Sequence, residues 1–322
     1  MIGVLLVNLG TPDAPDAKSV RRYLAEFLSD RRVIEIPQIA WQPILRGIIL
    51  RTRPSKSAKA YREVWTNEGS PLMAISMRQT GKLRDILGDA LFVAQAMRYG
   101  TQSIRREIAR LMDAGCDRIL FAPLYPQYCA ATTASSQDAL FAYLASQRLQ
   151  PAIRTLPPYY DDPLYIGALR TNIERQLSAL DFKPERLLLS FHGMPERTRQ
   201  LGDPYYDQCM ETARLLEEVI DHTIDVAFQS RFGPAKWLEP ATEPTLAAYP
   251  AQGVKRVAIA APGFSADCLE TIEELGIRGR EAFMEAGGTH FARLDCLNDS
   301  PEGMTMVEGL VRRELEGWMA PT

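Results

Sequence analysis

The sequence predicts an α/β fold of two similar Rossmann-like domains, each a parallel sheet flanked by helices, which face each other across a cleft. Strand-length apolar segments alternate with helical segments along the chain, which is typical of parallel sheets. The chain has 322 residues, more than one hydrophobic core usually carries. Motifs in the first half also recur in the second. In such sheets ligands bind at the carboxyl ends of the strands.

The internal repeat joins equivalent strands of the two halves. Residues 4–12 (VLLVNLGTP) align with residues 187–195 (LLLSFHGMP) at an offset of 183, and residues 115–122 align with 253–260 at an offset of 138. The two offsets differ by roughly the length of an apolar-then-basic insert that follows Asp30. The repeat predicts a duplicated unit whose first copy carries an extra pocket lip, at about residues 31–75.

The pattern of strands and helices restarts near Pro157, which divides the chain in two. We expect an N-terminal domain over residues 1–150 and a C-terminal domain over residues 151–322, which contains the catalytic His and an acidic helix. Whether the closing helix, 301–318, packs back on the first domain is left open.

Periodicity and turn residues predict the individual elements. The predicted strands are 2–7, 91–97, 118–122, 153–156, 187–191, 225–228, 256–261 and 289–294, with a short extended piece at 32–36. The predicted helices are 18–28, 57–65, 71–87, 103–114, 135–146, 165–180, 206–220, 242–248, 268–286 and 301–318. Residues 39–49 form an apolar segment that is followed by basic residues, and residues 229–238 form a loop.

Composition excludes several classes of protein. The net charge of −3 argues against nucleic-acid binding, which usually requires a basic surplus. Five Cys residues without a C-x-x-C pair fit neither a disulfide framework nor a zinc site, and indicate a reducing compartment. No apolar run is long enough to span a membrane, and residues 1–7 lack the basic start of a signal peptide.

His192 is the candidate catalytic base. Gly193 and Pro195 force a turn directly after the buried strand 187–191, so His192 lies at the strand's carboxyl end. A neutral imidazole there accepts protons near pH 7. The alternative is a core histidine that is satisfied by a backbone carbonyl.

Glu270 and Glu274 lie four residues apart and share one helix face, with Asp267 as the predicted N-cap. One interpretation is a solvated acidic helix start, which the helix dipole favours. The other is a line of carboxylates that relays protons or cations. Together with an imidazole, such carboxylates suit a divalent first-row metal that is held loosely.

Aromatic and basic residues suggest a large, flat, acidic ligand. The sequence contains neither the glycine pattern of a dinucleotide site nor a Walker A motif, so a nucleotide cofactor is not expected. Tyr125 and Trp237 follow strands, while Arg53 and Arg98 could pair with ligand carboxylates. Each of these residues also has an ordinary explanation in packing.

Five motifs resemble the ferrochelatase family in their order along the whole chain: LVNLGTP (6–12), LYPQY (124–128), SFHGMP (190–195), GPxxWLxP (233–240) and PGFSADCLE (262–270). The resemblance implies insertion of Fe²⁺ into protoporphyrin IX to give protohaem, the last step of haem synthesis. It implies that His192 takes pyrrole protons or meets the metal, with Glu270 as its acidic partner. Glu274 would continue the acidic line along a helix that widens to a π-type turn, so the implied metal-facing residues are His192, Glu270 and Glu274.

The resemblance also implies the porphyrin contacts. Arg53 and Arg98 match positions near the propionates, while Tyr125 and Trp237 match pocket aromatics. Leu9 stands where the coproporphyrin-using branch has Tyr, which favours protoporphyrin as the substrate.

Some positions depart from the family pattern. Cys268 replaces the His of many relatives, and Arg278 stands where some relatives continue the acidic line. The C-terminal cysteines that hold a [2Fe–2S] cluster in some members are absent, so we expect no cluster and no permanently bound cofactor. Length and motif style indicate a bacterial enzyme of Gram-negative type.

The sequence leaves three rival functions open: a non-catalytic tetrapyrrole-binding protein, a chelatase for another metal or tetrapyrrole, and a two-Rossmann glycosyltransferase. The expected partners are protoporphyrin IX and Fe²⁺, without nucleic acid. We expect a monomer in the cytoplasm. Whether the lip at 39–50 makes a peripheral contact with the inner membrane is left open.

Overall fold

A computed structural model describes residues 1–231 and 233–319 of the chain. Strands and helices alternate over these residues, as the sequence predicts. Two parts of the chain lie outside the described residues. One is Phe232, in the predicted loop. The other is residues 320–322, in the C-terminal end on which the prediction of no [2Fe–2S] cluster depends.

Within the described residues the strands form two four-stranded parallel sheets. The first contains β1 (Ile2–Gly10), β2 (Leu91–Tyr99), β3 (Arg118–Pro123) and β4 (Ala152–Thr155). The second contains β5 (Arg186–His192), β6 (Ile224–Gln229), β7 (Arg256–Ala260) and β8 (His290–Arg293). The strand orders are β2-β1-β3-β4 and β6-β5-β7-β8.

The matching strand orders agree with the internal repeat. β1 corresponds to β5 and β3 to β7, which are the pairs that the two offsets align. In the first sheet Ile2 pairs with Leu91 on one side and Arg118 on the other. In the second, Leu187 pairs with Ile224 and Ala258. Leu9 and His192 therefore occupy equivalent positions near the carboxyl ends of their strands.

The central position of β1 explains its composition. Val4, Leu5 and Val7 are fully buried, as expected for a parallel strand covered on both faces. This confirms that the apolar start of the chain is a strand.

The described residues divide into two compact units. Residues 1–125, 129–157 and 307–319 make up the first unit, and residues 126–128, 158–231 and 233–306 make up the second. In the first, Leu5 and Phe121 pack with Ile108 and Leu140 of the flanking helices. In the second, Ile259 packs with the helical residues Leu275 and Phe283. All five cysteines are buried, and none of them forms a disulfide bond.

The helices of the first unit are α1 (Ala17–Phe27), α2 (Gln38–Ile44), the π-helix π1 (Leu45–Ile49), α3 (Leu50–Val64), α4 (Pro71–Leu87), α5 (Ile104–Asp113), π2 (Ala130–Ala134) and α6 (Ser135–Ala145). Those of the second unit are α7 (Pro163–Ser178), α8 (Glu196–Gln200), α9 (Tyr205–Val219), α10 (Thr242–Ala248), a 3₁₀ turn (Tyr249–Gln252), π3 (Glu270–Gly279) and α11 (Arg280–Glu285). Helix α12 (Pro301–Glu314) runs from the second unit into the first, where Arg154 donates a hydrogen bond to the carbonyl of Glu314 at 2.7 Å.

The prediction of an extended piece at 32–36 is wrong. Asp30 accepts a hydrogen bond from the N–H of Arg32 at 2.7 Å, and its carbonyl accepts from Val33 and Ile34. Aspartate commonly forms turns of this kind, in which its side chain replaces a backbone acceptor.

π-Helices follow the third strand in both units. At the offset of 138, π2 aligns with residues 268–272, where π3 begins. This widened turn therefore belongs to the repeated unit. π3, which contains Glu274, confirms the π-type turn that the family resemblance implied.

Candidate active site

His192 ends β5 and lies beside Gln229 of β6 in the register of the sheet. Its Nδ1 lies 2.7 Å from the carbonyl oxygen of Gly193. Because a carbonyl oxygen only accepts hydrogen bonds, Nδ1 carries the proton in this contact, and the lone pair of the neutral imidazole is then on Nε2. The half-buried ring has its centroid 6.5 Å from that of Phe264. The second nitrogen of His192 is thus chemically able to accept a proton or a metal ion.

The turn after His192 requires glycine. A Cβ on Gly193 would lie 2.5 Å from the carbonyl oxygen of Gln229, and the Gly193 N–H donates to that same oxygen at 2.7 Å. Pro195 in this turn forms an antiparallel bridge with Trp237. The half-buried Trp237 therefore lies against the turn that carries His192, which brings two of the predicted site residues together.

Gln229 is a residue that the sequence analysis missed. Its side chain is almost fully buried and accepts a hydrogen bond from the Ser190 hydroxyl at 2.8 Å. Its Nε2 donates to the backbone carbonyl of Glu270 at 3.3 Å. The amide therefore fixes the start of π3 to the strand beside His192. Its position at the end of a strand was the available sequence signal.

The prediction that Asp267 caps this helix is wrong. Asp267 is 4% exposed, and Arg293 donates to its Oδ1 at 2.8 Å while Asn298 donates to its Oδ2 at 2.6 Å. A carboxylate buried this deeply requires a charged partner, which Arg293 provides. Instead, the N–H of Cys268 donates to the Thr271 hydroxyl at 3.0 Å. The ordered helix consequently begins two residues later than the predicted Cys268.

Glu274 is anchored to the loop after β6. Ser230 donates its N–H to Glu274 Oε1 at 2.7 Å and its hydroxyl to Oε2 at 2.6 Å. The Arg278 guanidinium lies 3.6 Å from Oε2 and forms an ion pair with Glu273 at 3.1 Å. Arg278 thus places a positive charge directly beyond Glu274 on the helix.

Glu270 is half-buried and lies near the Cys268 thiol. Burial, reinforced by the negative charge of Glu270, raises the pKa of Cys268 well above the ordinary thiol value. Because the thiolate is the form that binds metals, Cys268 is a poor ligand here. Across the part of the chain that the structure describes, no group of three or more His, Cys, Asp and Glu side chains is arranged to hold a metal ion.

In the first unit, Arg98 belongs to a buried network around Asp30. Arg98 Nη2 lies 2.5 Å from the Asp30 carboxylate, and its Nε donates to the Ser135 hydroxyl at 2.7 Å. Tyr99 and Ser135 also donate to Asp30, at 2.8 and 2.6 Å. Arg98 therefore pairs with an internal carboxylate through Nη2, which the sequence did not reveal. Its contact with a ligand propionate stays a prediction.

The other predicted residues of the first unit lie on three different elements. Leu9 is half-buried near the end of β1, and its N–H donates to the Asn8 side chain at 2.9 Å. Arg53 is half-buried on α3, and Tyr125 is buried just after β3. Their roles toward a ligand also stay predictions.

The predicted lip is a helical segment with exposed apolar side chains. Ile39 on α2 is 91% exposed and Ile48 on π1 is 59% exposed, whereas Trp41 is buried. Among the described helices, none combines the length and the hydropathy that a membrane span needs.

Two solved structures of SirB have a similar fold. SirB from Bacillus subtilis with Fe³⁺ matches with a TM-score of 0.56 at 13% identity, covering 98% of this chain and 96% of that one. The sirohydrochlorin chelatase SirB from Bacillus subtilis subspecies spizizenii, in complex with cobalt, matches with a TM-score of 0.58 at 11% identity and the same coverage. At such identities the likeness concerns the fold alone, and it confirms the predicted pair of Rossmann-like units.

Sequence comparison establishes the family. A family model described as Ferrochelatase matches residues 1–315. The ferrochelatase of Rhizobium meliloti (strain 1021) is 52% identical, covering 99% of this chain and 96% of the relative. That of Mesorhizobium japonicum is 50% identical, covering 99% and 92%. The predicted family, enzyme class and Gram-negative type are confirmed: the chain belongs to the ferrochelatase family, lyases that insert Fe²⁺ into protoporphyrin in haem synthesis.

Proposed function

We propose that His192 is the group that accepts pyrrole protons during the insertion of Fe²⁺ into protoporphyrin IX. The observation that carries this role is the hydrogen bond from Nδ1 to the Gly193 carbonyl, which leaves Nε2 with a free lone pair. A positioned imidazole of this kind serves as a general base near neutral pH. The contact with this carbonyl orients the ring.

The reaction releases two protons for each Fe²⁺ that enters the ring, since both pyrrole N–H groups lose theirs. His192 accepts these protons at the porphyrin face and Glu270 passes them on. Gln229 supports this pairing, since it lies beside His192 in the sheet and holds the Glu270 backbone. Glu274 continues the line toward the exposed Arg278 and carries Fe²⁺ inward or protons outward.

We propose the porphyrin contacts that the family resemblance implies. We assign the propionates to Arg53 and Arg98, and the faces of the ring to Tyr125, Trp237 and Leu9. Binding energy from these contacts would bend the ring and expose its nitrogen lone pairs to the metal. Strain of about 1–5 kcal/mol can be supplied in this way by remote contacts.

Leu9 supports protoporphyrin over coproporphyrin. Its side chain is apolar and half-buried, so it suits the vinyl groups of protoporphyrin better than additional propionates.

We further propose that the enzyme works without a permanently bound cofactor or [2Fe–2S] cluster, as a monomer in the cytoplasm. The exposed Ile39 and Ile48, followed by Arg51, support a peripheral contact of the lip with a membrane surface. The macrocycle of protoporphyrin is apolar, so such a contact would bring the enzyme close to its substrate.

Anaerobic absorbance assays test the choice of substrate. Purified protein is mixed with Fe²⁺ and either protoporphyrin IX or coproporphyrin III. We expect kcat/KM for protoporphyrin to be higher by about tenfold or more, and Leu9→Tyr to reduce that preference. A wild-type protein that metallates coproporphyrin as well as protoporphyrin would contradict the assignment of Leu9.

A further inference from the structure

Both carboxylate oxygens of Glu274 are held by one residue, Ser230. The Ser230 N–H donates to Oε1 at 2.7 Å and the hydroxyl donates to Oε2 at 2.6 Å. The two residues lie 44 positions apart, and the Glu274 side chain is only 20% exposed. This paired contact therefore links the loop after β6 to π3 at a partly buried point.

The backbone of Ser230 is held in an unusual conformation to make this contact. Its φ is +65°, a left-handed value that, among the described residues other than glycine, only Asn298 shares. Such a conformation costs about 1 kcal/mol or more in a residue with a Cβ, and glycine would adopt it freely. A plain connector would carry glycine here. Serine adds the hydroxyl that binds the second oxygen of Glu274.

Ser230 is also fixed relative to the sheet. It directly follows Gln229, whose buried side chain is bonded to Ser190 and to the Glu270 carbonyl. The donors that meet Glu274 are thus supported by the strand that lies beside His192. Neither the position nor the orientation of the carboxylate depends on π3 alone.

We propose that Ser230 is a positioning residue for metal insertion, which aims the Glu274 carboxylate so that it captures Fe²⁺ and passes it toward Glu270. This inference rests on the proposed role of Glu274 in metal transfer. It adds a residue that acts through Glu274 and makes no contact with the reacting atoms.

Ser230→Ala removes the hydroxyl and keeps the backbone donor. We expect KM for Fe²⁺ to rise about tenfold, the usual scale for a hydrogen bond to a charged group, while kcat and KM for protoporphyrin IX stay within about twofold. Ser230→Gly removes the same hydroxyl and also relieves the backbone strain. An equal rise in KM for Fe²⁺ would therefore show that the loss of the hydroxyl, and not the strain, causes the effect. Ser178→Ala is the control, because this exposed hydroxyl bonds only within its own helix, to Arg175.

A double-mutant cycle with Glu274→Gln decides the question, with circular dichroism confirming that each variant is folded. If Ser230 acts through Glu274, Ser230→Ala changes KM for Fe²⁺ in the wild type and adds nothing in the Glu274→Gln background. Two results would overturn the proposal for Ser230 and leave the role of Glu274 intact. One is that the effects of the two substitutions on KM for Fe²⁺ are additive. The other is that KM for Fe²⁺ is normal in Ser230→Ala but raised in Glu274→Gln. A normal KM for Glu274→Gln would instead remove the role of Glu274, and the proposal with it.

Discussion

His192 and Gln229 lie side by side at the carboxyl ends of neighbouring parallel strands, and the Gln229 amide reaches on to the backbone of Glu270 at 3.3 Å. The imidazole and the start of the acidic π-helix are therefore mounted on one framework of buried hydrogen bonds. Gly193 completes this framework, since any larger residue would collide with the Gln229 carbonyl.

The first prediction concerns the base itself. His192→Ala should lower kcat for metallation by about 10²- to 10⁴-fold, the usual contribution of a general base, while protoporphyrin still binds. Metallation is followed by absorbance, and binding by quenching of tryptophan fluorescence. His290→Ala is the matched control, because His290 is exposed on β8. Normal turnover by His192→Ala would remove the role given to this residue.

The second prediction concerns the buried carboxylate at the turn before π3. Asp267→Ala should reduce the free energy of unfolding by about 3–5 kcal/mol, because Arg293 would keep a largely buried charge without its buried partner. Asp295→Ala removes the other, exposed partner of the same arginine and should cost less than about 1 kcal/mol. Urea unfolding measures both values. Equal losses would show that burial does not set the strength of these pairs.

The third prediction is a pH dependence in the first unit. Burial alone would raise the pKa of Asp30, but hydrogen bonds from Ser135, Arg32 and Tyr99 and the charge of Arg98 together lower it. A carboxyl group whose pKa is lowered in the folded state stabilises the fold above its unfolded pKa of about 3.9 and loses that contribution on further acidification. Asp30→Asn should therefore cost about 3 kcal/mol at pH 7.

This cost should shrink as the pH falls below about 4, because the wild type then protonates Asp30 as well. Urea unfolding of both proteins from pH 7 downward gives the comparison. A difference that stays constant down to the acid limit would show that the Asp30 carboxylate is not the source of the stability.

The fourth prediction concerns the lip. Replacing both Ile39 and Ile48 with Asp should weaken cosedimentation with anionic phosphatidylglycerol vesicles, since it puts charge on the two most exposed apolar side chains there. Leu149→Asp, at a position 80% exposed elsewhere in the first unit, is the control. If the double variant and the control bind vesicles equally well, the lip is not the membrane contact.

The fold was largely predictable because its strands are short apolar runs bounded by turn residues. The repeat between residues 4–12 and 187–195 even predicted which strands are equivalent. The prediction was wrong at 32–36, where the Asp30 side chain closes a turn. It also missed π2, since a π-turn is stabilised by packing and by its end contacts, which single-sequence patterns do not report.

For the candidate site, sequence identified His192, Glu270 and Glu274 but not the residues that hold them. Gln229 and Ser230 act through side-chain bonds across 39 to 44 residues, and such long-range pairs leave no periodic signal. For the same reason, the sequence could not show that Arg98 forms an ion pair with Asp30.

The central claim is that the acidic π-helix takes part in metal insertion. The most direct measurement is anaerobic conversion of the free-base spectrum of protoporphyrin IX to the haem spectrum with Fe²⁺, for wild type and Glu270→Gln. Glu281→Gln, an exposed position on α11, is the control. We predict that the wild type and the control form haem at similar rates, while Glu270→Gln binds porphyrin but metallates it at least about 100-fold more slowly. Equal rates for all three proteins would contradict this role for Glu270.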